Sequence, residues 1–364
     1  MTNGAGEKVH QIQAAVLRGR AGLQIDTLEL EGPREDEVLV RLKATGICHT
    51  DIDFLDDWDG PPVVLGHEGA GVVEEVGKDL KTVHPGDHVV LSYQSCGQCR
   101  PCRQGSPVRC ERFWEANFGF ARLDGSNALA RSGVQGHFFG QSSFATHSLA
   151  TARNLVKVPK DLPLELLAPL GCGLQTGAST VLNSLQVPKG ASLAIFGTGA
   201  VGLAAVIAAR LVGADPIIGV DLVPARLKLA LELGATHVID SSQEEVAARI
   251  KAITGRGVDY VLEITGASIL YQLGLEVLNP QGTMALIARP NGSASLSHGR
   301  KTVGIIQGDA VPQTFIPRLI ALYQAGQFPF DRLVKFYDFS EINRAIAEAR
   351  RGDTIKPVLR LGRS

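Results

Sequence analysis

Four cysteines stand close together in the chain, with a spacing that suits one metal ion. Cys96, Cys99, Cys102 and Cys110 form the pattern C-x2-C-x2-C-x7-C. Three cysteines at two-residue intervals place their thiolates on one loop, and the fourth completes the tetrahedral sulfur set of a structural Zn²⁺ site. The pattern therefore predicts structural zinc. Two disulfides or an iron–sulfur cluster are the alternatives, and the lack of an apolar run in the first ten residues argues against an oxidising compartment.

A glycine-rich loop indicates dinucleotide binding. Gly197, Gly199 and Gly202 form G-x-G-x-x-G between an apolar strand and an apolar helix, and Asp221 ends the next apolar stretch. In that context the glycines allow a tight turn, close approach of the backbone to a pyrophosphate, and close helix packing. An acidic residue at this point binds the adenosine ribose and repels a 2′-phosphate, so NAD is favoured over NADP. Arg226 could accommodate that phosphate and leaves the preference open. The alternative is a glycine turn with a purely structural use.

A second set of possible metal ligands lies outside the cysteine cluster. Cys48, Cys172 and the pair His67-Glu68 come from three separated turns. Two thiolates and one imidazole would leave a fourth position open, which is typical of catalytic zinc. Each residue alone has a structural explanation, because a single Cys is often a small buried hydrophobe and a single His a hydrogen-bonded core group. Spacing does not decide between these interpretations.

Composition limits the classes of protein. The 364 residues are 45% hydrophobic and 20% charged, which is ordinary for a globular protein with two cores. A formal net charge of -1 provides no basic surface for a nucleic acid. The longest apolar runs, such as 203–209, are shorter than the ~20 residues that span a bilayer. We therefore expect a soluble, cytoplasmic protein without a nucleic-acid or membrane partner.

The distribution of apolar residues predicts two domains. From residue 192 onward, apolar strands alternate with helices such as 200–212, 224–233 and 243–254, which predicts a doubly wound parallel sheet of six strands. The predicted strands are 193–196, 217–220, 237–239, 260–264, 283–287 and 303–306. Residues before about 175 carry short strands and many turns, which predicts a mostly antiparallel region. The tail after 307 is too short for its own core and should pack on that region.

Several motifs resemble the zinc-containing medium-chain alcohol dehydrogenase family from end to end. They are GHEGAG at 66–71 with Gly77, GICHTD at 46–51, GCGLQTG at 171–177 and the four-cysteine pattern. Residues 117–126 and 304–312 are most similar to the aryl-alcohol (benzyl alcohol) dehydrogenases of that family. The resemblance implies an α/β fold with a GroES-like, mostly β catalytic domain at 1–174 and 307–364, and a Rossmann domain at 175–306.

The resemblance also implies roles for single residues. Catalytic zinc would bind Cys48, His67 and Cys172, with Glu68 as an occasional alternate ligand. Asp51 would accept the free N–H of His67 and fix its tautomer. Thr50 would hydrogen-bond the oxygen of the alcohol and pass its proton toward the nicotinamide ribose.

Further positions match the cofactor and substrate sites of the family. Thr176 and Val201 match positions that line the nicotinamide pocket. Lys356 matches a basic position that touches the pyrophosphate. Phe138 and Phe139 match positions that flank the substrate.

Two positions depart from the best-known members of the family. His49 stands where many relatives place an arginine against the pyrophosphate, so we expect a weaker or pH-dependent contact. Asp53 stands where those relatives end the proton relay with a histidine. Asp53 could serve as the base, protons could leave through ordered water, or Asp53 could be a solvated carboxylate without a catalytic role.

Aromatic residues suggest the substrate. Half of the aromatic residues of the chain lie between Phe54 and Phe144, and a set near the predicted ligands could form broad apolar walls. These residues are Phe54, Trp58, Trp114, Phe118, Phe138 and Phe139. Primary aromatic or allylic alcohols would fit such walls, with the aldehyde as product and NAD as hydride acceptor. The alternative is that the rings only fill the N-terminal core.

Other functions remain open from the sequence. A glutathione-linked formaldehyde dehydrogenase or a polyol dehydrogenase shares most of the motifs, although polyols need polar walls. A non-catalytic dinucleotide-binding protein would usually lack the catalytic ligands, and a zinc-ribbon nucleic-acid module would not explain the glycine loop. Two zinc ions per chain would support the enzyme. A long loop between Cys110 and Phe138 resembles that of dimeric relatives, so a homodimer is expected, with a tetramer as the alternative.

Overall fold

The computed structural model describes residues 8–19, 22–288 and 299–362. They form two compact units. Unit 1 contains the described residues of Met1–Cys172, Val311–Pro317 and Leu333–Ser364, and unit 2 contains those of Gly173–Ala310 and Arg318–Arg332. The tail after residue 307 therefore divides between the units, because one helix, Pro312–Gln324, begins in unit 1 and ends in unit 2.

The strands are numbered in chain order over the described residues. They are β1 (Val9–Leu17), β2 (Leu23–Glu31), β3 (Glu37–Gly46), β4 (Val63–Val64), β5 (Gly69–Val76), β6 (His88–Leu91), β7 (His147–Thr151), β8 (Leu155–Lys157), β9 (Leu193–Phe196), β10 (Ile217–Asp221), β11 (His237–Asp240), β12 (Val258–Glu263), β13 (Leu278–Leu286), β14 (Lys301–Gly304), β15 (Val334–Asp338) and β16 (Lys356–Arg360).

The α-helices are numbered in the same way. They are α1 (His49–Asp57), α2 (Arg100–Arg103), α3 (Phe113–Phe118), α4 (Leu164–Leu167), α5 (Gly173–Ser179), α6 (Ala200–Val212), α7 (Pro224–Leu233), α8 (Val246–Thr254), α9 (Ser268–Val277), α10 (Pro312–Gln324) and α11 (Ile342–Arg351). Short 3-10 turns connect several of them.

Unit 1 is a mostly antiparallel β structure. One of its sheets has the order β2-β1-β4, and a larger sheet has the order β15-β16-β3-β5-β6-β8, with β7 paired to β3. The C-terminal strand β16 lies antiparallel to β3, so that Val358 pairs with Gly46. The buried faces of these strands share one hydrophobic core that includes Leu39, Val40 and Phe144. Cys48 follows β3, His67 and Glu68 follow β4, and the four-cysteine pattern follows β6.

Unit 2 contains a parallel sheet of six described strands in the order β11-β10-β9-β12-β13-β14. The central strand β9 is buried at every position, as expected for a parallel strand covered on both faces. Helix α6 follows β9 and has no exposed face from Gly202 to Ala209, which explains its almost continuous apolar sequence. The predicted fold class, a doubly wound parallel sheet with a mostly β GroES-like domain, is confirmed.

Some boundaries in unit 2 differ from those predicted. Strand β13 begins at Leu278, five residues before the predicted start, and includes Pro280 and Gly282. An irregularity in its pairing with β12, between Val258 and Tyr260, accommodates these residues within the strand. Helix α8 begins at Val246, three residues later than predicted, because the side chain of Glu245 accepts a hydrogen bond from the N–H of Ala248 at the start of the helix.

Across the described residues, every helix is too short or too polar to cross a bilayer.

Candidate functional site

Two thiols, an imidazole and a carboxylate converge in unit 1. One possible ligand atom from each of Cys48, His67, Glu68 and Cys172 lies within 4.8 Å of the others. Cys48 precedes α1, His67 and Glu68 lie between β4 and β5, and Cys172 precedes α5. The structure therefore brings together the three separated turns that the sequence singled out.

The carboxylate of Asp51 connects two of these turns. Its Oδ2 accepts the backbone N–H of Cys48 at 2.9 Å, while its Oδ1 accepts the N–H of Gly66 at 3.1 Å and faces Nδ1 of His67 at 3.0 Å. Since a carboxylate that already accepts two N–H groups is an acceptor, Nδ1 of His67 is the donor. The tautomer that this bond selects leaves the Nε2 lone pair of His67 available to a metal.

The environment stabilises the charged forms of Cys48 and His67, while the hydrogen bond with Cys48 and burial raise the pKa of Cys172 well above its ordinary value. A hydrogen bond from Cys172 lowers the pKa of Cys48 well below its ordinary value, against the effect of burial, and His67 lowers it further. Burial would lower the pKa of His67, but Asp51 and Cys48 raise it well above its usual value. These surroundings favour a thiolate at Cys48, which is the form that binds metals.

The geometry fits a zinc ion. Nε2 of His67 is buried and has no hydrogen-bond partner among the described residues, which is unusual for a buried polar atom unless an ion satisfies it. The sulfur atoms of Cys48 and Cys172 are 4.0 Å apart. Two thiolates on a tetrahedral ion with bonds of about 2.3 Å would be about 3.8 Å apart. Cys48, His67 and Cys172 could therefore hold zinc with little movement.

Glu68 forms a buried ion pair with Lys356. Their side chains are 0% and 3% exposed, and Nζ of Lys356 donates to Oε1 of Glu68 at 2.7 Å and to the carbonyl of Ile47 at 3.0 Å. Burial raises the pKa of Glu68 to about 7, although Lys356 opposes this effect. A Cβ atom on Gly46 would lie 1.9 Å from Oε2 of Glu68, so only glycine leaves room for this carboxylate. The resemblance implies that Lys356 touches a pyrophosphate, whereas in the structure its ammonium is buried against Glu68.

The residues of the predicted proton relay lie on α1. Oγ1 of Thr50 is 3.9 Å from Sγ of Cys48, next to the candidate ligands. His49 and Asp53 are one helical turn apart on the outer face, with 3.3 Å between Nε2 and Oδ1, and their side chains are 83% and 62% exposed. Asp53 is thus a largely solvated carboxylate that pairs with His49.

Aromatic rings cover one side of the candidate metal site. Phe139 stacks on the imidazole of His67, with centroids 4.4 Å apart and planes at 19°, and Phe138 contacts the same imidazole edge-on at 5.5 Å. Phe118 contacts both of these phenylalanines, and Phe54 stacks on Phe118 at 5.9 Å. We call the following residues the aromatic cluster: Phe54, Trp58, Trp114, Phe118, Phe120, Phe138 and Phe139.

Members of the aromatic cluster differ in exposure. Phe138 and Phe139 are buried, whereas Trp114 is 64% exposed and contacts the rest of the cluster through Phe118. Phe120 was not predicted from the sequence; it is buried between Trp58 and Phe138, at 4.8 and 5.5 Å. Its place two residues after Phe118, inside the stretch 117–126, is the signal in the sequence that could have identified it.

The four-cysteine pattern folds into a compact loop in unit 1. The sulfur atoms of Cys96, Cys99, Cys102 and Cys110 all lie within 4.8 Å of one another, and all six cysteines of the chain are free thiols. Sγ of Cys96 accepts the backbone N–H groups of Gln98 and Cys99, at 3.5 and 3.4 Å. Backbone donors of this kind stabilise thiolates, and four free thiols in this arrangement fit one tetrahedral ion.

The glycine loop of unit 2 connects β9 to α6. Gly197 has φ +95°, and a Cβ atom on it would lie 3.0 Å from the methyl group of Thr265. A Cβ atom on Gly202 would lie 1.9 Å from the carbonyl oxygen of Gly197, so the helix packs directly on the loop. At Gly199 a Cβ atom would meet nothing within 4 Å, which leaves open space beside the helix N-terminus, where a phosphate could bind.

Four other predicted cofactor residues lie in unit 2, whereas His49 and Lys356 lie in unit 1. Asp221 ends β10, and its carboxylate accepts the backbone N–H of Thr198 in the glycine loop at 2.7 Å. Nε of Arg226, on α7, is buried without a hydrogen-bond partner among the described residues. Thr176 is 6% exposed on α5, and Val201 is half-buried in the first turn of α6. Oδ1 of Asp221 accepts the N–H groups of the next two residues, so its carboxylate holds the turn at the edge of the sheet.

A cleft of about 900 Å³ in unit 1 lies beside the four-cysteine loop. It is lined by Cys96, Cys102, Arg34, Arg122 and Arg153, among others, and by none of the converging residues Cys48, His67, Glu68 and Cys172. Arg122 is engaged by Glu31 and Glu37, and Arg34 by Asp124. The charged side chains that line the cleft are thus largely paired within the protein.

Comparison with known proteins agrees with this geometry. Residues 34–160 match the family model of the alcohol dehydrogenase GroES-like domain, and residues 200–321 match that of the zinc-binding dehydrogenases. A geraniol dehydrogenase of Castellaniella defragrans is 47% identical over 95% of this chain and 97% of its own length.

Solved structures agree as well. A benzyl alcohol dehydrogenase of Acinetobacter calcoaceticus is 44% identical, with a TM-score of 0.93 over 97% of this chain and 100% of that one. An alcohol dehydrogenase zinc-binding domain protein of Burkholderia ambifaria is 50% identical, with a TM-score of 0.93 over 98% of this chain and 100% of that one. With its converging ligands, glycine loop and two family matches, the chain belongs to the zinc-containing medium-chain alcohol dehydrogenase family.

Proposed function

We propose that this enzyme uses NAD and zinc to interconvert primary aromatic or allylic alcohols and their aldehydes. In the proposed reaction an alcohol loses a hydride to NAD⁺ and a proton to the protein and solvent, which yields the aldehyde and NADH. The reverse reduction is equally available. The observation that carries the proposal is the contact of Phe139 and Phe138 with the imidazole of His67, because it places aromatic surface directly on a candidate ligand of the catalytic metal.

The residues of unit 1 would have distinct tasks. Cys48, His67 and Cys172 would hold one zinc, with Glu68 as an alternate ligand, and the four-cysteine loop would hold a second. Zinc supplies Lewis-acid chemistry toward the substrate oxygen, and the nicotinamide supplies the hydride chemistry. Asp51 would keep His67 in its metal-binding tautomer, and Thr50 would accept and pass on the proton of the alcohol.

Broad apolar walls support an aromatic or allylic substrate. Phe54, Phe118 and Trp114 are at least partly exposed members of the aromatic cluster, so they could contact a ligand, whereas Phe120, Phe138 and Phe139 are buried in the free protein. The names of the similar proteins, a geraniol and a benzyl alcohol dehydrogenase, describe an allylic and an aromatic primary alcohol. A polyol would leave its hydroxyl groups without partners against such walls.

Unit 2 would bind NAD through its glycine loop. Asp221 would accept hydrogen bonds from the adenosine ribose and disfavour a 2′-phosphate. Leu222, directly after it, and Ile269, at the start of α9, are 64% and 75% exposed. Both follow strands that flank β9 at the carboxyl edge of the sheet, where exposed apolar side chains would suit an adenine ring. His49, Thr176, Val201 and Arg226 remain proposed cofactor contacts.

A substrate panel tests the proposal. At saturating NAD, kcat/KM for benzyl alcohol and geraniol should exceed that for ethanol by at least about ten-fold, since each buried apolar group adds roughly 1–3 kcal/mol of discrimination. Metal analysis of the same preparation should find two zinc ions per chain. A preference for ethanol, or for a glutathione adduct of formaldehyde, would contradict the proposed aromatic or allylic substrate and favour another kind of alcohol dehydrogenase. Homodimeric assembly and a cytoplasmic location stay predictions.

A further inference from the structure

Gln141 lies between two segments of the candidate metal site. Its side chain is buried, with the residue 3% exposed. Nε2 donates to the carbonyl oxygens of His67 and Ser92, both at 3.0 Å, and Oε1 accepts the N–H of Gly69 at 3.1 Å. The orientation of this amide is unambiguous, because the flipped form would set an oxygen against two carbonyl oxygens and an NH₂ against an N–H. One amide thus binds the backbone of both neighbours of Glu68, His67 and Gly69. His67 is itself a candidate ligand.

His67 needs such a partner because of its place in the chain. It lies in the irregular segment between β4 and β5, where no ladder hydrogen bond binds its carbonyl group, and it is completely buried. A buried carbonyl without a partner would cost roughly 1–3 kcal/mol. Gln141 satisfies this group, while Asp51 holds the ring from its other side through Nδ1.

Ser92 extends the connection to the third ligand. Its Oγ donates to the carbonyl of Gly171 at 2.6 Å, and Gly171 directly precedes Cys172. Ser92 is 0% exposed, and a Cβ atom on Gly171 would lie 2.1 Å from the carbonyl oxygen of Leu91, so the two segments are in close contact. Buried polar side chains therefore join His67 to Gln141, Gln141 to Ser92, and Ser92 to the residue before Cys172.

The turn that carries Gln141 is held in a strained conformation. His137, Phe139 and Ser142 have φ values of +64°, +54° and +50° without being glycine. Such residues persist where surrounding contacts over-determine them. Asn154 supplies one of these contacts, because its Nδ2 donates to the carbonyls of Phe139 and Gly140 at 3.3 and 3.0 Å. The same turn thus presents the Phe139 ring to His67 and the Gln141 amide to its backbone.

We propose that Gln141 and Ser92 are positioning residues that set the distance and direction between His67 and Cys172 for binding of the catalytic metal. The proposal rests on the proposed function, since it needs a metal at Cys48, His67 and Cys172. It goes beyond that function because neither residue is a ligand and neither touches substrate or cofactor. Its physical basis is that partners outside the ligand shell commonly change metal affinity by about 10–100-fold.

Zinc release to a chromogenic chelator tests this inference in the intact enzyme. Ser92→Ala removes one hydroxyl group, and Gln141→Met removes the amide at nearly constant volume. In both variants one zinc per chain should be released about ten-fold faster than in the wild type. The zinc of the four-cysteine loop serves as an internal reference and should be released at the wild-type rate. Ser92→Thr, which keeps the hydroxyl, should restore slow release.

A matched control separates positioning from general loss of packing. Asn343 also bridges a backbone N–H and carbonyl, those of Leu23, at 3.2 and 2.9 Å. Asn343→Leu should leave both release rates and the visible spectrum of the cobalt-substituted enzyme unchanged. Gln141→Met should shift that cobalt spectrum and lower kcat more than it raises KM.

The outcomes distinguish this inference from the proposed function. If wild-type enzyme holds two zinc ions, and Gln141→Met and Ser92→Ala release them at wild-type rates with an unchanged cobalt spectrum, the positioning role is wrong while the proposed function stands. If wild-type enzyme holds only the zinc of the four-cysteine loop, both are wrong. If Gln141→Met does not fold, Ser92→Ala, the smaller change, decides the matter in the same way.

Discussion

The ring of Phe139 lies almost parallel to the imidazole of His67, with 4.4 Å between their centroids. The position of Phe139 is fixed by its own backbone, whose φ of +54° is rare for a bulky residue. A substrate held near His67 would therefore meet this ring in one orientation. The stack connects the metal chemistry of the site to the proposed choice of substrate.

Replacing Phe139 should change specificity more than rate. Phe139→Leu keeps an apolar side chain but removes the flat aromatic face, which is worth about 0.5–1.5 kcal/mol to a stacked ring. We expect kcat/KM for benzyl alcohol to fall by about 2–10-fold relative to that for ethanol. The ratio of the two values, measured at saturating NAD, checks this. An equal loss for both alcohols would show that the ring supports His67 without contacting the substrate.

Members of the aromatic cluster should differ sharply in how much they contribute to the stability of the fold. Phe138 is completely buried, so Phe138→Ala should lower the free energy of unfolding by about 3–5 kcal/mol. Trp114 is 64% exposed, and Trp114→Ala should change it by less than about 0.5 kcal/mol. Urea titrations of both variants provide the measurement. A large destabilisation by Trp114→Ala would mean that its contacts with Phe113 and Phe118 matter more than its exposure indicates.

The two cysteine sites should respond differently to substitution. Cys48→Ser should abolish turnover and remove one zinc per chain, because a catalytic ligand is lost while the four-cysteine loop is unchanged. Cys110→Ser should remove the other zinc and lower the melting temperature, since that ion crosslinks its loop. Metal content and thermal unfolding, measured on the same samples, check this pair. Near-normal turnover in Cys48→Ser would refute the assigned catalytic site.

Acid should destabilise the enzyme through His137. Burial, followed by the charges of Arg122 and Arg34, lowers the pKa of His137 to about 3 in the folded protein. In the unfolded chain its pKa is about 6.5. The unfolded state therefore binds the proton first, and stability falls as the pH drops from about 6.5 towards 3, by up to about 1.4 kcal/mol per pH unit. Above pH 6.5 both states are neutral and the effect vanishes.

The variant His137→Asn should remove this pH dependence, and asparagine tolerates the positive φ of that position. When the pH is lowered from 7.5 to 5, the free energy of unfolding of the wild type should fall by about 2 kcal/mol more than that of the variant. Other titrating groups cancel in this difference. A difference that does not vary with pH would mean that His137 titrates normally.

Cofactor choice should depend on the charge of Asp221. Asp221→Asn removes the carboxylate that would repel a 2′-phosphate, so the ratio of kcat/KM for NADP to that for NAD should rise by about ten-fold, or about 1.4 kcal/mol. Asp240 ends the neighbouring strand β11 and pairs in register with Asp221, which makes Asp240→Asn a matched control. That control should leave the ratio unchanged. The same change in both variants would mean that the effect comes from the total negative charge at this edge of the sheet and not from Asp221 in particular.

The sequence predicts the parts of the structure that local pattern determines. Strand β9, the glycine loop and α6 follow one another with apolar periodicity and obligatory glycines, and the structure has them at the predicted residues. The pairing of Lys356 with Glu68 was not predicted, because these residues are far apart in the chain and meet only when β16 pairs with β3. Gln141 was missed for a related reason. Its partners are backbone groups, which every residue carries, so no spacing in the sequence marks them.

The burial of Lys356 against Glu68 has a consequence for biosynthesis. The carboxylate beside His67 belongs to the first fifth of the chain, and the ammonium that neutralises it belongs to the final strand. Because a ribosome delivers the N-terminal part first, Glu68 has no Lys356 to pair with until β16 has been synthesised. Nascent chains that end before β16 should therefore remain incompletely folded around Glu68. A premature stop that removes residues 355–364 should yield material that proteases digest rapidly.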